Sequence, residues 1–180
     1  MRWWMAALMW GWGCAHAPVV VKAPEARNVD VVVVLESVEA GTVGAAPDEV
    51  VEGLKDVLQE RGMTPTAVPG ADWVGRFQSH RSTSQRIRHV SDQITDDVWL
   101  LVESEVRWYA QVAGRYRWTV DVVATFGDGD GEVLGQESFQ VPVFLTWDHQ
   151  REPEAMHGAQ PVLERRVAEL VDAWVSTLNP

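Results

Sequence analysis

Alternation of apolar and polar residues between positions 98 and 126 is the feature that most restricts the fold of this chain. Residues 98–109 alternate along most of their length, and residues 115–126 place Tyr116, Trp118, Val120, Val122, Ala124 and Phe126 in one series. Because side chains on a strand point alternately to opposite faces, both segments are predicted to be strands with one buried and one wet face. An Asp-Gly turn at 128–131 leads into a third strand at 132–144, so an antiparallel meander is expected.

Residues 29–38 (VDVVVVLESV) show a different pattern, a continuous run of β-branched and other apolar residues. Such a run is typical of a strand that is covered on both faces. The segment is therefore predicted to lie inside the sheet. Residues 63–68 are interrupted by Pro65, which cannot donate a hydrogen bond to a sheet ladder, so they are expected to form an edge strand at most.

Three segments are predicted to be helices. Residues 47–61 begin with Pro47 and two acidic residues, which favour a helix start, and continue with apolar residues on one stripe. Residues 79–94 have a thin apolar stripe and should mostly face water. Residues 161–178 open with Pro161 and have a broad apolar face.

The expected fold class is α/β (α+β), a single domain at residues 29–180 with one mixed sheet. The element order is β-α-β-α-β-β-β-α, with an antiparallel C-terminal meander and the helices on one face. About 150 residues are enough for one core. The net charge of −11 has the wrong sign for binding nucleic acid or anionic lipid. Cys14 is the single cysteine, so no disulfide within the chain is expected.

The first thirteen residues have the composition of a signal peptide. Arg2 provides a short basic region, and residues 3–10 (WWMAALMW) provide an apolar one. Eight residues rise only about 12 Å as a helix, which is too short for a hydrocarbon core of about 30 Å. Residues 1–13 are therefore interpreted as an export signal.

Cys14 stands where this apolar region ends, after Gly13 and before Ala15. The arrangement resembles a bacterial lipoprotein signal, in which the cysteine after a small residue is acylated and becomes the mature N-terminus. The resemblance implies a lipid at Cys14, a lipidated tether at 14–28, and sorting to the outer membrane because no Asp follows the cysteine. The alternative is an ordinary secretory signal that is cut after Ala15. Both interpretations predict export.

Four segments resemble the α/β domain of envelope lipoproteins related to the curli secretion protein CsgG, the TolB N-terminal domain and LpoB. They are residues 97–105 (DVWLLVESE), 114–122 (GRYRWTVDV), 131–134 (GEVL) and 165–174. The resemblance implies a domain that binds proteins or assembles at the outer membrane and is not an enzyme. The tether is shorter than a synthase activator needs, and the chain has no membrane-inserting hairpin like that of the curli pore. Partner residues therefore cannot be carried over.

The polar face of the meander is the candidate partner surface. Aromatic residues and arginine are enriched in binding hot spots, and several of them fall in phase with this face. The candidate residues are Trp99, Arg107, Tyr109, Arg115 and Arg117. The alternative is a merely solvated sheet face, as antiparallel sheets commonly have. The basic helix at 79–94 is the next candidate for a docking site.

Residues 147–160 are predicted to be a long polar loop. It contains the metal-capable side chains Asp148, His149, Glu152, Glu154 and His157, but not the His-x-x-x-His spacing of a helical metal site. A small secreted hydrolase or metal-binding protein that uses this loop is the alternative function. No catalytic set and no cofactor are expected. The favoured function is a non-catalytic, lipid-anchored envelope protein that faces the periplasm and acts as an assembly or protein-binding module.

Overall fold

The computed structural model describes residues 27–38, 40–68, 82–94, 96–146 and 151–178. The predicted signal peptide, Cys14 and residues 15–26 of the predicted tether lie outside the described residues. So do residues 79–81 of the predicted basic helix and residues 147–150 of the predicted loop.

One mixed sheet carries six strands, and three helices pack on it in the part of the chain that is described. The strands are β1 (Asn28–Ser37), β2 (Thr42–Ala45), β3 (Thr64–Ala67), β4 (Val98–Val112), β5 (Arg115–Asp128) and β6 (Val133–Leu145). The helices are α1 (Asp48–Gln59), α2 (Thr83–Ser91) and α3 (Glu152–Leu178). The strand order is β2-β1-β4-β5-β6, with β3 paired to β1. The α/β class and the antiparallel meander of β4, β5 and β6 are confirmed.

Strand β1 lies inside the sheet, as its continuous valine run predicts. Parallel β4 pairs with it along residues 29–37. Its other edge is shared, because β3 pairs in parallel with residues 28–31 and β2 pairs antiparallel with residues 34–37. Neighbours on both edges and cover on both faces leave residues 29–35 buried. The short strand β2 is an addition to the predicted element order.

Helices α1 and α3 pack on one face of the sheet, called the inner face. Their buried residues are Val50, Leu54, Leu58, Ala155, Met156, Ala159, Leu163, Val167, Val171 and Trp174. The inner face of β5 contributes Trp118, which is 5% exposed, and Phe126, whose ring meets the Trp174 ring edge to face at 4.9 Å between centroids. Trp174 is 7% exposed, so both tryptophans belong to the core that joins α3 to the sheet.

Helix α2 packs on the opposite face, called the outer face, which corrects the prediction that all helices share one face. Its Val90 is buried against a second apolar cluster of Val32, Val34, Trp99 and Leu101. The odd-numbered residues 29–35 of β1 and the even-numbered residues 98–102 of β4 lie on the inner face and belong to the main core. Each of these strands is therefore covered on both sides over this part of its length.

Helix α3 begins at Glu152, so residues 152–160 are helical and not a loop, and Pro161 lies inside the helix. Met156 and Ala159 from this first part are buried in the core. Gly158 allows close contact with the sheet, because an added Cβ would lie 2.6 Å from Val143 Cγ1. None of the described helices combines the length and the apolar character that a membrane span needs.

Candidate binding surface

The outer face is covered at one end of β4 and open at the other. Helix α2 covers Trp99 and Leu101, which lie near the start of β4. From Glu103 to Tyr109 on β4, and over residues 115–123 on β5, the odd-numbered residues line a more open surface, in which Thr119 alone is buried. Two regions of this surface are distinct, a groove beside α2 and a patch at the β4–β5 turn.

The groove beside α2, called the outer groove, has a volume of about 1030 Å³. Strand register places Glu36 of β1, Glu105 of β4, Asp121 of β5 and Gln140 of β6 side by side across it. Adjacent strands are spaced about 4.8 Å apart, so three carboxylates occupy neighbouring positions. Gln140 Nε2 donates a hydrogen bond of 2.7 Å to Asp121 Oδ1. The groove is therefore an acidic surface.

Glu103 joins this groove to helix α2. Its carboxylate accepts a hydrogen bond from the Arg86 guanidinium, and both side chains are mostly buried. Burial raises the pKa of Glu103 above its ordinary value of 4.5, the Arg86 guanidinium opposes that rise, and the Glu36 carboxylate adds to it. The Arg86–Glu103 ion pair links α2 to the sheet. The Glu103 carboxylate in this pair is partly removed from solvent, which opposes its ionisation.

Replacing Glu103 with glutamine should remove part of the pH dependence of stability. A carboxyl whose folded pKa is raised favours folding when protonated, so its contribution is fully present below the unfolded pKa and is lost as pH rises through the folded pKa. Relative to Glu103→Gln, the wild type should therefore gain unfolding free energy between pH 7 and about pH 4.5. Urea unfolding at several pH values measures this, with Glu49→Gln on exposed α1 as the variant with the same charge change. Parallel pH profiles for wild type and Glu103→Gln would contradict it.

The second region, called the hairpin-end patch, consists of Arg107, Tyr109, Arg115, Arg117 and Phe144. Strands β4 and β5 are joined by Ala113 and Gly114, whose φ angles of 50° and 77° fit a two-residue turn with both residues left-handed. A register shift between Trp108 and Ala110 adds one residue to β4 before this turn. Tyr109 keeps the outer-face parity of Arg107 and lies against Arg117, and the extra residue brings Ala110 into register with Arg117 as well.

Arg117 lies between two exposed aromatic rings. Its Cζ is 4.5 Å from the centroid of the Tyr109 ring and 6.0 Å from that of the Phe144 ring. Both distances fit a cation–π interaction, which limits the rotamers of all three side chains. Tyr109 is 60% and Phe144 is 52% exposed. The patch therefore presents ordered aromatic and guanidinium groups to solvent.

The structure brings four of the five sequence-predicted surface residues together and separates the fifth. Arg107 and Arg115 are exposed beside Tyr109 and Arg117, and Arg107 donates to the Glu105 carboxylate. Trp99 is 0% exposed, which corrects its assignment to the open surface. Its indole lies beneath α2 near the other end of β4, and its Nε1 donates a 2.7 Å hydrogen bond to the Asp128 carbonyl.

Phe144 belongs to the patch and was missed by sequence reasoning. Register pairs it with Arg117, whereas its neighbour Val143 pairs with Trp118 on the inner face. The signal was available, because Phe144 is out of phase with the apolar series Phe139, Val141 and Val143. An aromatic residue in the polar phase of a half-buried strand has to be exposed or covered by another element.

The other candidate sites are only partly described. In the basic helix, Arg86 pairs with Glu103 and Arg88 is exposed, while His80 and Arg81 lie outside the described residues. Of the predicted metal-capable loop, Asp148 and His149 also lie outside them. Glu152, Glu154 and His157 are on α3, and Glu152 accepts a 2.8 Å hydrogen bond from Ser37 Oγ. Among the residues that the structure describes, no three His, Cys, Asp or Glu side chains form a group that could hold a metal ion.

Comparisons with known proteins give structural neighbours only. No protein family model matches the sequence, and no curated protein matches it. A lipoprotein from Neisseria meningitidis is 14% identical, with coverage of 78% of this chain and 98% of that one and a TM-score of 0.41. A minor lipoprotein from Acinetobacter baumannii is 11% identical, with coverage of 79% and 88% and a TM-score of 0.47.

A hypothetical protein from Chlamydia trachomatis is 14% identical, with coverage of 82% of this chain and 99% of that one and a TM-score of 0.47. Identities and TM-scores this low carry neither an activity nor a partner over to this chain. The resemblance to the CsgG, TolB and LpoB proteins is not shown by these comparisons.

Proposed function

We propose that this protein is a non-catalytic, lipid-anchored component of the bacterial envelope whose domain binds another protein through the hairpin-end patch. The observation that carries the binding role is Arg117 held between the exposed rings of Tyr109 and Phe144. Tyrosine and arginine are among the residues enriched in binding hot spots. A group of exposed aromatic rings on one surface also indicates an interaction site, whereas single apolar residues scattered over a surface do not.

The side chains of the patch are already ordered in the free protein, which supports the binding role. Immobilising a flexible side chain on binding costs about 0.5–1.5 kcal/mol. The two rings already restrict the Arg117 guanidinium, so part of this cost is met by folding. The patch also lies on paired strands next to a tight turn, which keeps its backbone in place. It can therefore bind with little rearrangement.

The proposed location follows from the sequence before the described residues. A signal peptide at 1–13 and acylation of Cys14 would anchor the chain, with Ala15 directing it to the outer membrane. The tether between Cys14 and β1 could reach at most about 45 Å when extended. The domain would therefore face the periplasm and work close to the membrane.

A double charge reversal in the patch tests the binding role. Affinity capture from membranes of cells that make the full chain should recover at least about tenfold less partner with Arg107→Glu and Arg117→Glu, because a hot-spot loss of about 1.4 kcal/mol already has that effect. The matched control is Arg151→Glu with Arg165→Glu, which makes the same charge change at exposed positions of α3 and the residue before it. Circular dichroism confirms that both variants fold.

The control should capture as much partner as the wild type. Equal capture by the patch variant, with folding intact, would show that this patch is not the interface. The basic helix would then be the next surface to test.

A further inference from the structure

We propose that the hairpin-end patch binds the outer groove of a second copy of this chain, in a two-fold dimer whose outer faces pack against each other. The inference rests on the binding role proposed for the patch and specifies its partner. It follows from the distribution of charge on the outer face, from the strand register and from the size of that face.

The two halves of the outer face carry opposite charge. The groove half has Glu36, Glu103, Glu105 and Asp121, with Arg86 as the cation that pairs with Glu103. The patch half has Arg115 and Arg117, whereas Arg107, which donates to the Glu105 carboxylate, lies on the boundary between the two halves. Two copies with a net charge of −11 each repel one another at long range. Contact between them is favoured only where a basic surface of one meets an acidic surface of the other.

A two-fold axis can place the basic half of each copy against the acidic half of the other, because an isologous interface uses the same surface on both subunits. Register places Arg107, Thr119 and Pro142 in one row across β4, β5 and β6, between the two halves. On β5, Arg117 and Asp121 lie two residues to either side of Thr119. An axis that runs between the faces along this row places Arg117 of each copy over Asp121 of the other.

The same axis also brings the patch residues of β6 and β4 over groove residues of the other copy. On β6 it places Phe144 over Gln140 of the other copy, and on β4 it brings Tyr109 near Glu105. The apolar floor of the groove, which includes Val43 and Val123, offers contacts for these rings. An unrelated acidic partner would complement the patch alone and leave the groove unmatched. A second copy complements both regions.

The open face is large enough for a dimer. Four strands at about 4.8 Å spacing, and about ten residues at about 3.4 Å each, give a face of roughly 600 Å² before side-chain relief. Stable interfaces bury about 1,200–2,000 Å² in total, or about 600–1,000 Å² per partner, so this face lies at the lower end of that range. Two sheets that pack face to face lie about 10 Å apart. Helix α2 stands beside Glu103 at one end of this face, where it would meet the turn of the other copy.

Photo-cross-linking in cells that make the full chain tests the identity of the partner. A photoreactive phenylalanine analogue in place of Tyr109 should give an adduct of twice the chain mass, linked to a peptide around residues 103–105. The control is the same analogue at Val133, which is exposed at the other end of β6 and should give no adduct of that mass. An adduct with another protein would support the patch but overturn the second copy, and the absence of any adduct would overturn both.

Charge exchange tests the pairing itself. Arg115→Glu with Arg117→Glu makes the patch acidic, and Glu105→Arg with Asp121→Arg makes the groove basic. Each variant of the full chain is purified in mild detergent and studied by sedimentation. Its dimer dissociation constant should be at least about tenfold higher than that of the wild type. An equal mixture of the two should recover the dimer, because each altered half then faces its complement. Unchanged dimerisation of the single variants, or a mixture that stays monomeric, would overturn the proposal.

Discussion

Replacing Trp118 with alanine should lower the free energy of unfolding by about 3–5 kcal/mol, as loss of a large core aromatic does. Trp118 is buried on the inner face of β5, and register places it between Trp108 of β4 and Val143 of β6. Its removal would leave a cavity that paired strands on both sides cannot close. Urea unfolding followed by far-ultraviolet circular dichroism measures the loss.

The matched control is Trp108→Ala in the neighbouring strand. Trp108 is 45% exposed, so truncation removes less buried area and should cost no more than about 1.5 kcal/mol. A cost under about 1 kcal/mol for Trp118→Ala would show that the faces of β5 had been assigned the wrong way round.

Replacing Trp99 with alanine should also cost about 3–5 kcal/mol, because this side chain joins α2 to the sheet. The indole is fully buried and donates its Nε1 hydrogen bond to the Asp128 carbonyl. Tyr109→Ala, an aromatic truncation at an exposed position on the same strand, should cost about 1 kcal/mol or less. Equal effects of the two substitutions would contradict the burial of Trp99.

Gly127 supplies an independent measure of the same contact. A Cβ at this position would overlap the Trp99 indole, so Gly127→Ala should cost about 1–3 kcal/mol in the wild type. In a Trp99→Ala background the overlap is gone and the cost should fall. The difference between the two backgrounds is the coupling free energy of a double-mutant cycle.

Sequence periodicity was sufficient to predict which residues share one face of a strand. The two-residue repeat in residues 115–126 predicts the buried series of β5, and the continuous valine run predicts a strand covered on both sides. Both predictions depend only on the geometry of a strand. The class of fold followed from the order of these segments.

Periodicity does not say what lies over a face, and Trp99 shows the consequence. It has the same parity as Glu103 and Glu105, so the alternation groups it with the polar residues. Helix α2 covers only the start of β4, and one strand face therefore changes from buried to open along its length. That change depends on where a helix distant in sequence packs.

Local irregularities account for most of what else was missed. The bulge after Trp108 changes the parity of β4 beyond Tyr109, so that Ala110 pairs with Arg117 and a strict two-residue repeat fails for the end of the strand. Val133 shares its odd numbering with the buried Val141 and Val143 of β6, but a register shift between Phe126 and Gly127 leaves it exposed. Sequence alternation contains no signal for either shift.

The start of α3 was misjudged because proline usually begins a helix. Polar residues at 151–154 and Pro161 suggested a loop that ends at the proline. Buried positions Ala155, Ala159 and Leu163 continue the four-residue spacing across Pro161. This spacing was present in the sequence, and giving it more weight than the proline would have placed the helix start correctly.

Acylation of Cys14 is the most direct test of the claim that this domain works while anchored to the envelope. Bacteria that make the full chain are grown with a clickable palmitate analogue, and wild type is compared with Cys14→Ser at matched protein levels. The wild type should be labelled and should fractionate with the outer membrane, whereas Cys14→Ser should carry no label. Equal labelling of the two proteins, or an unlabelled wild type, would contradict the claim.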